Sequence, residues 1–217
     1  MKLWNALLDL LYPPRCAFCH RLVASSAVTI CEGCRKNLPY TENRARQKMD
    51  FVASCVSPLY YENDVRQSLL RYKFHGATGY ARVYAPLVAD CIRTQLDKEF
   101  DLITWVPLSR KRLRRRGYDQ ARLLAEAVAE ALGTAAVGTL KKLRHTAAQS
   151  QTGSAEKRRA NISGAYRVPD PAQVADKRVL LIDDIVTTGS TLSECARTLG
   201  LAGAEQVVCA TVARRRD

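Results

Sequence analysis

The sequence predicts an α/β protein with a mostly parallel, doubly wound sheet, preceded by a small four-cysteine zinc module. Three observations lead to this prediction. Strand-like apolar runs alternate with helical patterns beyond about residue 49, and two Cys-x-x-Cys pairs lie near the start. The stretch VLLIDDIVTTGSTL, at 179–192, joins an apolar run to two acids and then to a series of small polar residues.

The composition is that of a globular protein with a basic surface. The 217 residues are 47% hydrophobic and 25% charged, which excludes a disordered chain. The 34 Lys and Arg residues outnumber the 21 Asp and Glu residues, and the net charge is +13. This excess favours a polyanionic partner, which could be nucleic acid, a phosphorylated metabolite or an anionic surface.

The first residues, MKLWNALLDLLYPP, predict a short amphipathic helix that ends at the two prolines. Asn5 and Asp9 interrupt the leucine-rich run and no small-residue cleavage site follows, which argues against a signal peptide. No apolar run approaches the roughly 18–20 residues of a membrane span. We therefore expect no membrane span, a cytoplasmic location, and cysteines that are thiols or metal ligands rather than disulfides.

Two Cys-x-x-Cys pairs, eleven residues apart, predict a structural Zn²⁺ site, because each two-residue gap lets both thiolates of a pair reach one ion. The alternative is that these cysteines are only small buried residues. The predicted metal ligands are Cys16, Cys19, Cys31 and Cys34. The remaining cysteines stand singly in apolar surroundings, which is typical of core positions. They are Cys55, Cys91, Cys195 and Cys209.

The polar stretch TENRARQKMD, at 41–50, predicts a linker between two domains. We assign the amphipathic helix and zinc module to residues 1–48 and the main domain to residues 49–217. In the main domain, helical spacing is found at 61–74, 80–96, 120–132 and 191–203. Strand-like runs are found at 101–107, weakly at 137–143, at 177–182 and at 206–213.

The stretch at 179–192 predicts a sugar-phosphate site. A buried strand brings Asp183 and Asp184 to the carboxyl edge of the sheet, where ligands bind in such folds and where sugar hydroxyls need acceptors. The following hydroxyls and backbone N–H groups, at the start of a helix, suit a phosphate. These residues are Thr187, Thr188, Gly189, Ser190 and Thr191. The alternative is an ordinary strand-to-helix turn in which Thr and Ser act as caps.

IDDIVTTGST resembles the phosphoribosyl pyrophosphate (PRPP) signature of type I phosphoribosyltransferases. Together with the cysteine module and the segments YKFHG, VPLSRKRLRRRGYDQ and RRANISGAYRV, it resembles the ComF family over nearly the whole chain. The family is associated with bacterial competence and DNA utilisation, which implies DNA-uptake proteins as partners. The resemblance also implies PRPP and Mg²⁺ as ligands, with the acids on the ribose hydroxyls and the loop on the 5′-phosphate.

The segment SRKRLRRRG predicts a basic loop after the strand that ends at Pro107. In the resemblance this loop faces the pyrophosphate, which suits arginine forks. PRPP-binding candidates there are Ser109, Arg110 and Lys111, with Arg112 as a catalytic candidate beside Asp183 and Asp184. Nucleic-acid candidates are Arg114, Arg115 and Arg116, since DNA or RNA backbone would use the same charges. A solvated basic face is the third interpretation.

The polar stretch 145–161 matches in position the flexible catalytic loop of these transferases, and a disordered insertion is the alternative. Candidates for reaching the pyrophosphate are Gln149 or Gln151 with Arg158 and Arg159, and Arg158 completes the catalytic set. Lys73 and His75 have a role near the site only by resemblance, because a Lys beside a Phe near a helix end is usually a surface residue.

Two classes of function follow. The first is an enzyme that transfers a phosphoribosyl group from PRPP to a nitrogen acceptor, with Mg²⁺ and the basic loop stabilising the pyrophosphate. The second is a zinc-containing protein that binds single-stranded DNA. A regulator that senses PRPP without turning it over is a further alternative.

Overall fold

The computed structural model describes residues 13–96, 100–143 and 163–216. The strands are β1 Arg46–Met49, β2 Val52–Val56, β3 Leu59–Tyr60, β4 Leu102–Trp105, β5 Lys141–Lys142, β6 Tyr166–Arg167, β7 Arg178–Val186 and β8 Gln206–Arg214. The helices are α1 Glu32–Asn37, α2 Asn63–Phe74, α3 Tyr80–Gln95, α4 Arg110–Arg116, α5 Gln120–Leu132 and α6 Ser190–Leu201. In the described part of the chain, no helix has the length and apolarity needed to cross a membrane.

The main sheet has the order β1-β2-β8-β7-β4, with the short β3 also pairing with β8. Every pairing is parallel except that of β1 with β2. The long strands β7 and β8 pair from Arg178 opposite Gln206 to Val186 opposite Arg214. The predicted mostly parallel sheet is therefore confirmed.

The sheet is covered on both faces, as its strand sequences require. Along β7 the buried side chains alternate: Leu180 and Ile182 belong to the core formed with α2, α3 and α5, whereas Val179 and Leu181 belong to the core formed with α6. Parallel strands buried on both faces are expected to be apolar throughout, and β7 and β8 are so until their carboxyl ends. The four single cysteines lie in these cores, as predicted.

The zinc module packs against the first of these cores. Phe18 is fully buried, and its ring centroid lies 5.9 Å from that of Tyr84 on α3. The Ser68 hydroxyl on α2 donates to the Ala17 carbonyl at 2.6 Å. Cys16, Ala17 and Phe18 are thus continuous with the core of the main sheet.

The predicted linker at 41–50 is wrong, because this stretch holds a 3-10 turn at Glu42–Arg44 and the edge strand β1. Arg46 pairs with Val56 and Met49 with Val52. An edge strand needs only one bonded neighbour and tolerates charged side chains on its open side. The polar composition of residues 41–50 is therefore compatible with an edge strand as well as with a linker.

The weak strand predicted at 137–143 is mostly absent from the main sheet. Lys141 and Lys142 pair instead with Arg167 and Tyr166 in a separate two-stranded sheet. Before them, an isolated parallel bridge pairs Ala136 with Ile103 of β4, and the Val137 N–H donates to the Ile103 carbonyl at 2.8 Å. Thr139 then donates its hydroxyl to that of Thr104 at 2.9 Å. A single bridge and a side-chain contact replace a continuous backbone ladder here.

The basic segment predicted as a loop is the helix α4. The side chain of Ser109 caps its amino end by accepting from the Arg112 N–H at 3.4 Å. Gly117 ends it at a φ of 84°, a left-handed conformation that glycine adopts without strain. Arginine itself favours helix, so the segment needs only these two end signals to be helical.

Candidate functional site

A cleft of about 740 Å³ opens at the carboxyl ends of the parallel strands. Val106 to Leu108 enter it after β4, Asp183 to Val186 at the end of β7, and Arg215 after β8. The loop 187–191 between β7 and α6 forms a further wall. The acid pair and the basic segment were predicted to meet at this edge, and the structure brings them together there.

Asp184 lies at the floor of the cleft and is only 3% exposed. Its Oδ1 forms an ion pair with Lys73 Nζ at 3.0 Å, so Lys73 is a site residue rather than a surface one. Its Oδ2 is buried and has no hydrogen-bond partner among the described residues. A buried carboxylate oxygen without a donor is costly, so this atom marks a place where a ligand donor fits.

Asp183 precedes it on β7 and is half-buried. Burial, and then the neighbouring charge of Asp184, raise its pKa well above the ordinary value, while the charge of Lys73 acts in the opposite sense. Its Oδ1 accepts from the Asp184 backbone N–H at 2.8 Å. Adjacent residues of a strand point to opposite faces of the sheet, so the carboxylates of the two acids face different parts of the cleft.

The loop after β7 has the form predicted for a phosphate cradle. Gly189 has a φ of 71°, a left-handed conformation that residues with a Cβ rarely adopt, and a Cβ placed on it would also displace the flexible Met49 side chain, so the backbone conformation favours glycine here. The hydroxyls of Thr188 and Ser190 are 3.0 Å apart. Ser190 begins the twelve-residue helix α6, whose first backbone N–H groups and dipole favour an anion. All five predicted residues from Thr187 to Thr191 line the cleft.

The basic helix α4 divides its charges between the cleft and solvent. Arg112, Arg115 and Arg116 line the cleft. Arg116 lies over the Phe74 ring, 5.1 Å from its centroid, and hydrogen-bonds Gln120. Three further predicted residues, Arg110, Lys111 and Arg114, are exposed and do not line it. Ser109, predicted to bind PRPP, is buried and caps the helix.

Lys142 and Tyr166 line the cleft and were missed in the sequence. They face each other across the small β5–β6 sheet, and Lys142 Nζ donates to the Tyr166 hydroxyl at 2.9 Å. Burial, and then the charge of Arg112, lower the pKa of Lys142 to about 8. Burial likewise raises the pKa of Tyr166. The strand alternation that turns Lys142 inward and leaves Lys141 exposed was the available sequence signal.

The lid candidates Gln149, Gln151, Arg158 and Arg159 lie outside the described residues. The chain on both sides of them is described: β5 precedes this stretch, β6 follows it, and the two strands pair antiparallel. Their paired residues include Lys142 and Tyr166, so the stretch begins and ends beside the cleft.

The four predicted zinc ligands come together. The sulfur atoms of Cys16, Cys19, Cys31 and Cys34 all lie within 4.8 Å of one another. The Cys31 and Cys34 backbone N–H groups point at the Cys16 and Cys31 sulfurs, each at 3.4 Å. Burial would raise the pKa of Cys16, but backbone hydrogen bonds outweigh it and bring that pKa to about 7. Four thiolates around one point form a structural zinc centre with no open position.

Two family models match the chain. One, described as a phosphoribosyl transferase domain, matches residues 119–217, and the other, described as a double zinc ribbon domain, matches residues 7–47.

Two curated relatives match most of the chain. Competence protein F of Haemophilus influenzae is 29% identical over 215 residues, which cover 89% of this chain and 93% of the relative. A DNA utilization protein, YhgH, of Escherichia coli is 31% identical over 202 residues, which cover 88% of this chain and 86% of the relative.

Among solved structures, glutamine phosphoribosylpyrophosphate amidotransferase from B. subtilis matches with a TM-score of 0.43 and 21% identity. The match covers 64% of this chain and 30% of the amidotransferase chain.

Proposed function

This chain belongs to the ComF family of bacterial competence and DNA utilization proteins, and from that premise we propose that its cleft binds PRPP and transfers the phosphoribosyl group to a nitrogen acceptor. The observation that carries the proposal is the buried, unpartnered Oδ2 of Asp184, a residue that lines the same cleft as the helix start at Ser190. One hydroxyl-bearing phosphate ester would satisfy both features at once.

The charge of the cleft supports a polyanionic ligand. Its acidic residues are Asp183 and Asp184. Its cationic residues are Arg66, Lys73, Arg112, Arg115, Arg116, Lys142 and Arg215. Such an excess of cations in a confined space raises the local concentration of anions and favours several phosphate groups over one. PRPP carries phosphate at both ends of a ribose, which matches a cleft with cations on several walls.

Each part of PRPP has a matching part of the cleft. The 5′-phosphate would lie on the N–H groups and hydroxyls of 187–191, and the ribose hydroxyls would donate to Asp184 and Asp183. The pyrophosphate would lie toward Arg112, whose planar guanidinium can bind two phosphate oxygens at once. Arg158 stays a predicted contributor.

The reaction breaks the bond between ribose C1 and the pyrophosphate oxygen, and the electron pair leaves with pyrophosphate. The nitrogen lone pair of the acceptor forms the new bond to C1, and the proton of that nitrogen passes to solvent or to the departing pyrophosphate. The cations around the pyrophosphate are already in place where negative charge develops, which lowers the barrier without rearrangement. Mg²⁺, when bound with PRPP, neutralises and orients the pyrophosphate.

Calorimetry with PRPP and Mg²⁺ tests the proposal, using the wild-type protein and a variant with Asp183 and Asp184 changed to Asn. We expect binding that the double change abolishes, with ribose 5-phosphate binding more weakly than PRPP. A pair of exposed acids, Asp64 and Asp90, changed to Asn serves as the matched control. Absence of PRPP binding by the folded wild type would refute the site assignment, and binding without pyrophosphate release would make the protein a sensor.

The exposed face of α4 supports a second function, the binding of single-stranded DNA. Arg110, Lys111 and Arg114 face solvent outside the cleft and remain available to a nucleic-acid backbone while PRPP is bound. Changing these three residues to Ala should weaken binding of an oligonucleotide and flatten its salt dependence, with PRPP affinity unchanged. Equal binding by wild type and variant at physiological salt would exclude this face as the DNA site.

We place this activity in the cytoplasm, where the cysteines stay reduced for zinc, and in association with DNA-uptake proteins. The thiolate centre and the family of competence proteins support this placement. Tagged protein recovered from cell fractions tests the location, and recovery with the membrane fraction would contradict it.

A further inference from the structure

We propose that the zinc module positions Lys73 on Asp184, so that the metal held by the cysteines sets the affinity of the cleft for its polyanionic ligand. Helix α2 contacts both the loop between the first two cysteines, through Ser68, and the cleft, through Lys73. The identity of the ligand as PRPP rests on the proposed function, whereas the positioning of Lys73 does not.

On the module side, the loop between the first two cysteines is bound directly to α2. Arg71 Nη2 donates to the carbonyls of Ala17 at 3.1 Å and Phe18 at 2.6 Å. Ser68 Oγ donates to the Ala17 carbonyl at 2.6 Å. Ala17 and Phe18 are the two residues between Cys16 and Cys19, so metal ligation determines where these carbonyls lie.

Packing reinforces these hydrogen bonds. The Phe18 ring is fully buried against Tyr84, and the Tyr84 hydroxyl lies 2.6 Å from Ser68 Oγ. The Arg71 Nε is buried and has no hydrogen-bond partner among the described residues, so the guanidinium is held through its contact with the two carbonyls. If the loop moved, Ser68 and Arg71 of α2 would lose their carbonyl acceptors, and Tyr84 of α3 would lose its aromatic contact with Phe18.

On the cleft side, Lys73 lies two residues beyond Arg71, in the last turn of the same helix. Its ammonium is 3.0 Å from Asp184 Oδ1, and the two side chains are 22% and 4% exposed. Such a pair depends on geometry, because a buried carboxylate is stabilised only while its partner stays within contact distance. A small shift of the last turn of α2 would therefore change the site that a ligand meets.

The metal is needed because the module has little else to hold its loop. The described residues of the module that are buried and hydrophobic are Cys16, Ala17, Phe18, Cys34, Leu38 and Ala45, and two of these are metal ligands. Metal binding then supplies much of the ordering of the segment. Coupling between two sites is reciprocal, so a ligand in the cleft should also raise the affinity of the cysteines for zinc.

Acylation of lysines by an N-hydroxysuccinimide acetate probe tests the positioning without any ligand. The rate at Lys73, read by peptide mass spectrometry, is compared before and after zinc is removed with a chelator. We expect the Lys73 rate to rise severalfold while that of Lys142, on the far wall of the cleft, stays the same. A parallel rise at both lysines would mean global unfolding, and an unchanged Lys73 rate in folded, zinc-free protein would overturn the proposal.

The variant Arg71→Met separates the coupling from zinc binding, because it removes the bridge to the loop and leaves all four cysteines. It should retain zinc, expose Lys73 to the probe and weaken PRPP binding by at least about 5-fold, the lower range for coupled sites. Arg82→Met, at an exposed position of α3, is the matched control and should change neither quantity. If PRPP fails to bind even the wild type, the proposed function fails while the labelling result still decides the positioning of Lys73.

Discussion

Replacing Lys142 with Met should stabilise the ligand-free protein at neutral pH while weakening its binding of polyanions. Lys142 lines the cleft in a half-buried position, and its contact with the Tyr166 hydroxyl at 2.9 Å supplies no charge. Burial, and then repulsion from Arg112, lower its pKa from the ordinary 10.5 to about 8. The charged form is thus disfavoured in the folded state.

The size of the stabilisation expected for Lys142→Met follows from the difference between the ordinary pKa of Lys142 and its pKa in the folded protein. A lowering from 10.5 to about 8 corresponds to about 3 kcal/mol of destabilisation while the lysine is charged in both folded and unfolded states. Between these two pKa values the unfolded chain binds more protons than the folded one, so stability rises with pH. Lys142 should therefore add about 2 kcal/mol of stability to the wild type between pH 7 and about 9.5.

Urea unfolding at several pH values measures this contribution. The free energy of unfolding of Lys142→Met should exceed that of the wild type by up to about 3 kcal/mol at pH 7, and the difference should shrink as the pH approaches 9.5. Lys142→Arg, which stays charged, should lack the rise with pH, and Lys141→Met is the control at the exposed neighbour. A difference between wild type and Lys142→Met that does not vary with pH would refute the reasoning.

The same lysine links ligand binding to proton uptake. A phosphate group near Lys142 favours its charged form and raises its pKa. Because Lys142, with a pKa of about 8, is already half protonated at pH 8, binding of PRPP at that pH should take up about half a proton per site from solution. Calorimetry in two buffers of different ionisation enthalpy measures this number directly. Equal heats in both buffers, for the wild type and for Lys142→Met alike, would show that Lys142 does not meet the ligand.

We make predictions for three further substitutions. Gly189→Ala should destabilise the fold by about 1–3 kcal/mol in urea, and adding Met49→Ala should recover the steric part but not the backbone strain. Cys19→Ser should lower the zinc content measured by atomic absorption and the thermal midpoint together, unlike Cys91→Ser at a core position. Asp119→Ala, which removes the amino-terminal cap of α5, should cost about 1–2 kcal/mol in urea, and a loss below about 0.3 kcal/mol would contradict that role.

The parts of the site that the sequence predicted are those whose chemistry lies within a few consecutive residues. This holds for the Cys-x-x-Cys pairs and for the stretch from Asp183 to Thr191. In each, one short segment contains both the turn or strand and the functional side chains that it carries. In both cases the spacing along the chain determines the spacing in space. The sheet was predictable for a similar reason, because β7 and β8 are long, apolar and bounded by polar turns.

The parts that were missed depend on packing between distant segments. For Lys73, the residues alone favoured a surface position and only the family resemblance implied a role near the site, because nothing near Lys73 in the sequence indicates that Asp184 is its partner. The inward position of Lys142 rests on the pairing of a two-residue strand with Tyr166, on the far side of a long polar stretch. The edge strand β1 has polar side chains that a linker would also have, and only its pairing with β2 distinguishes the two.

The central place of β8 has a consequence for biosynthesis. Residues 206–214 lie between β2 and β7, so the β1–β2 pair is not joined to the β4–β7 pair until β8 has emerged from the ribosome. A nascent chain therefore carries two incomplete sheet fragments with open edges, a state that invites association with other chains. A frameshift or cleavage that removes β8 would divide the sheet into two parts rather than remove an edge strand. The truncated chains should therefore aggregate or be degraded instead of retaining half of the site.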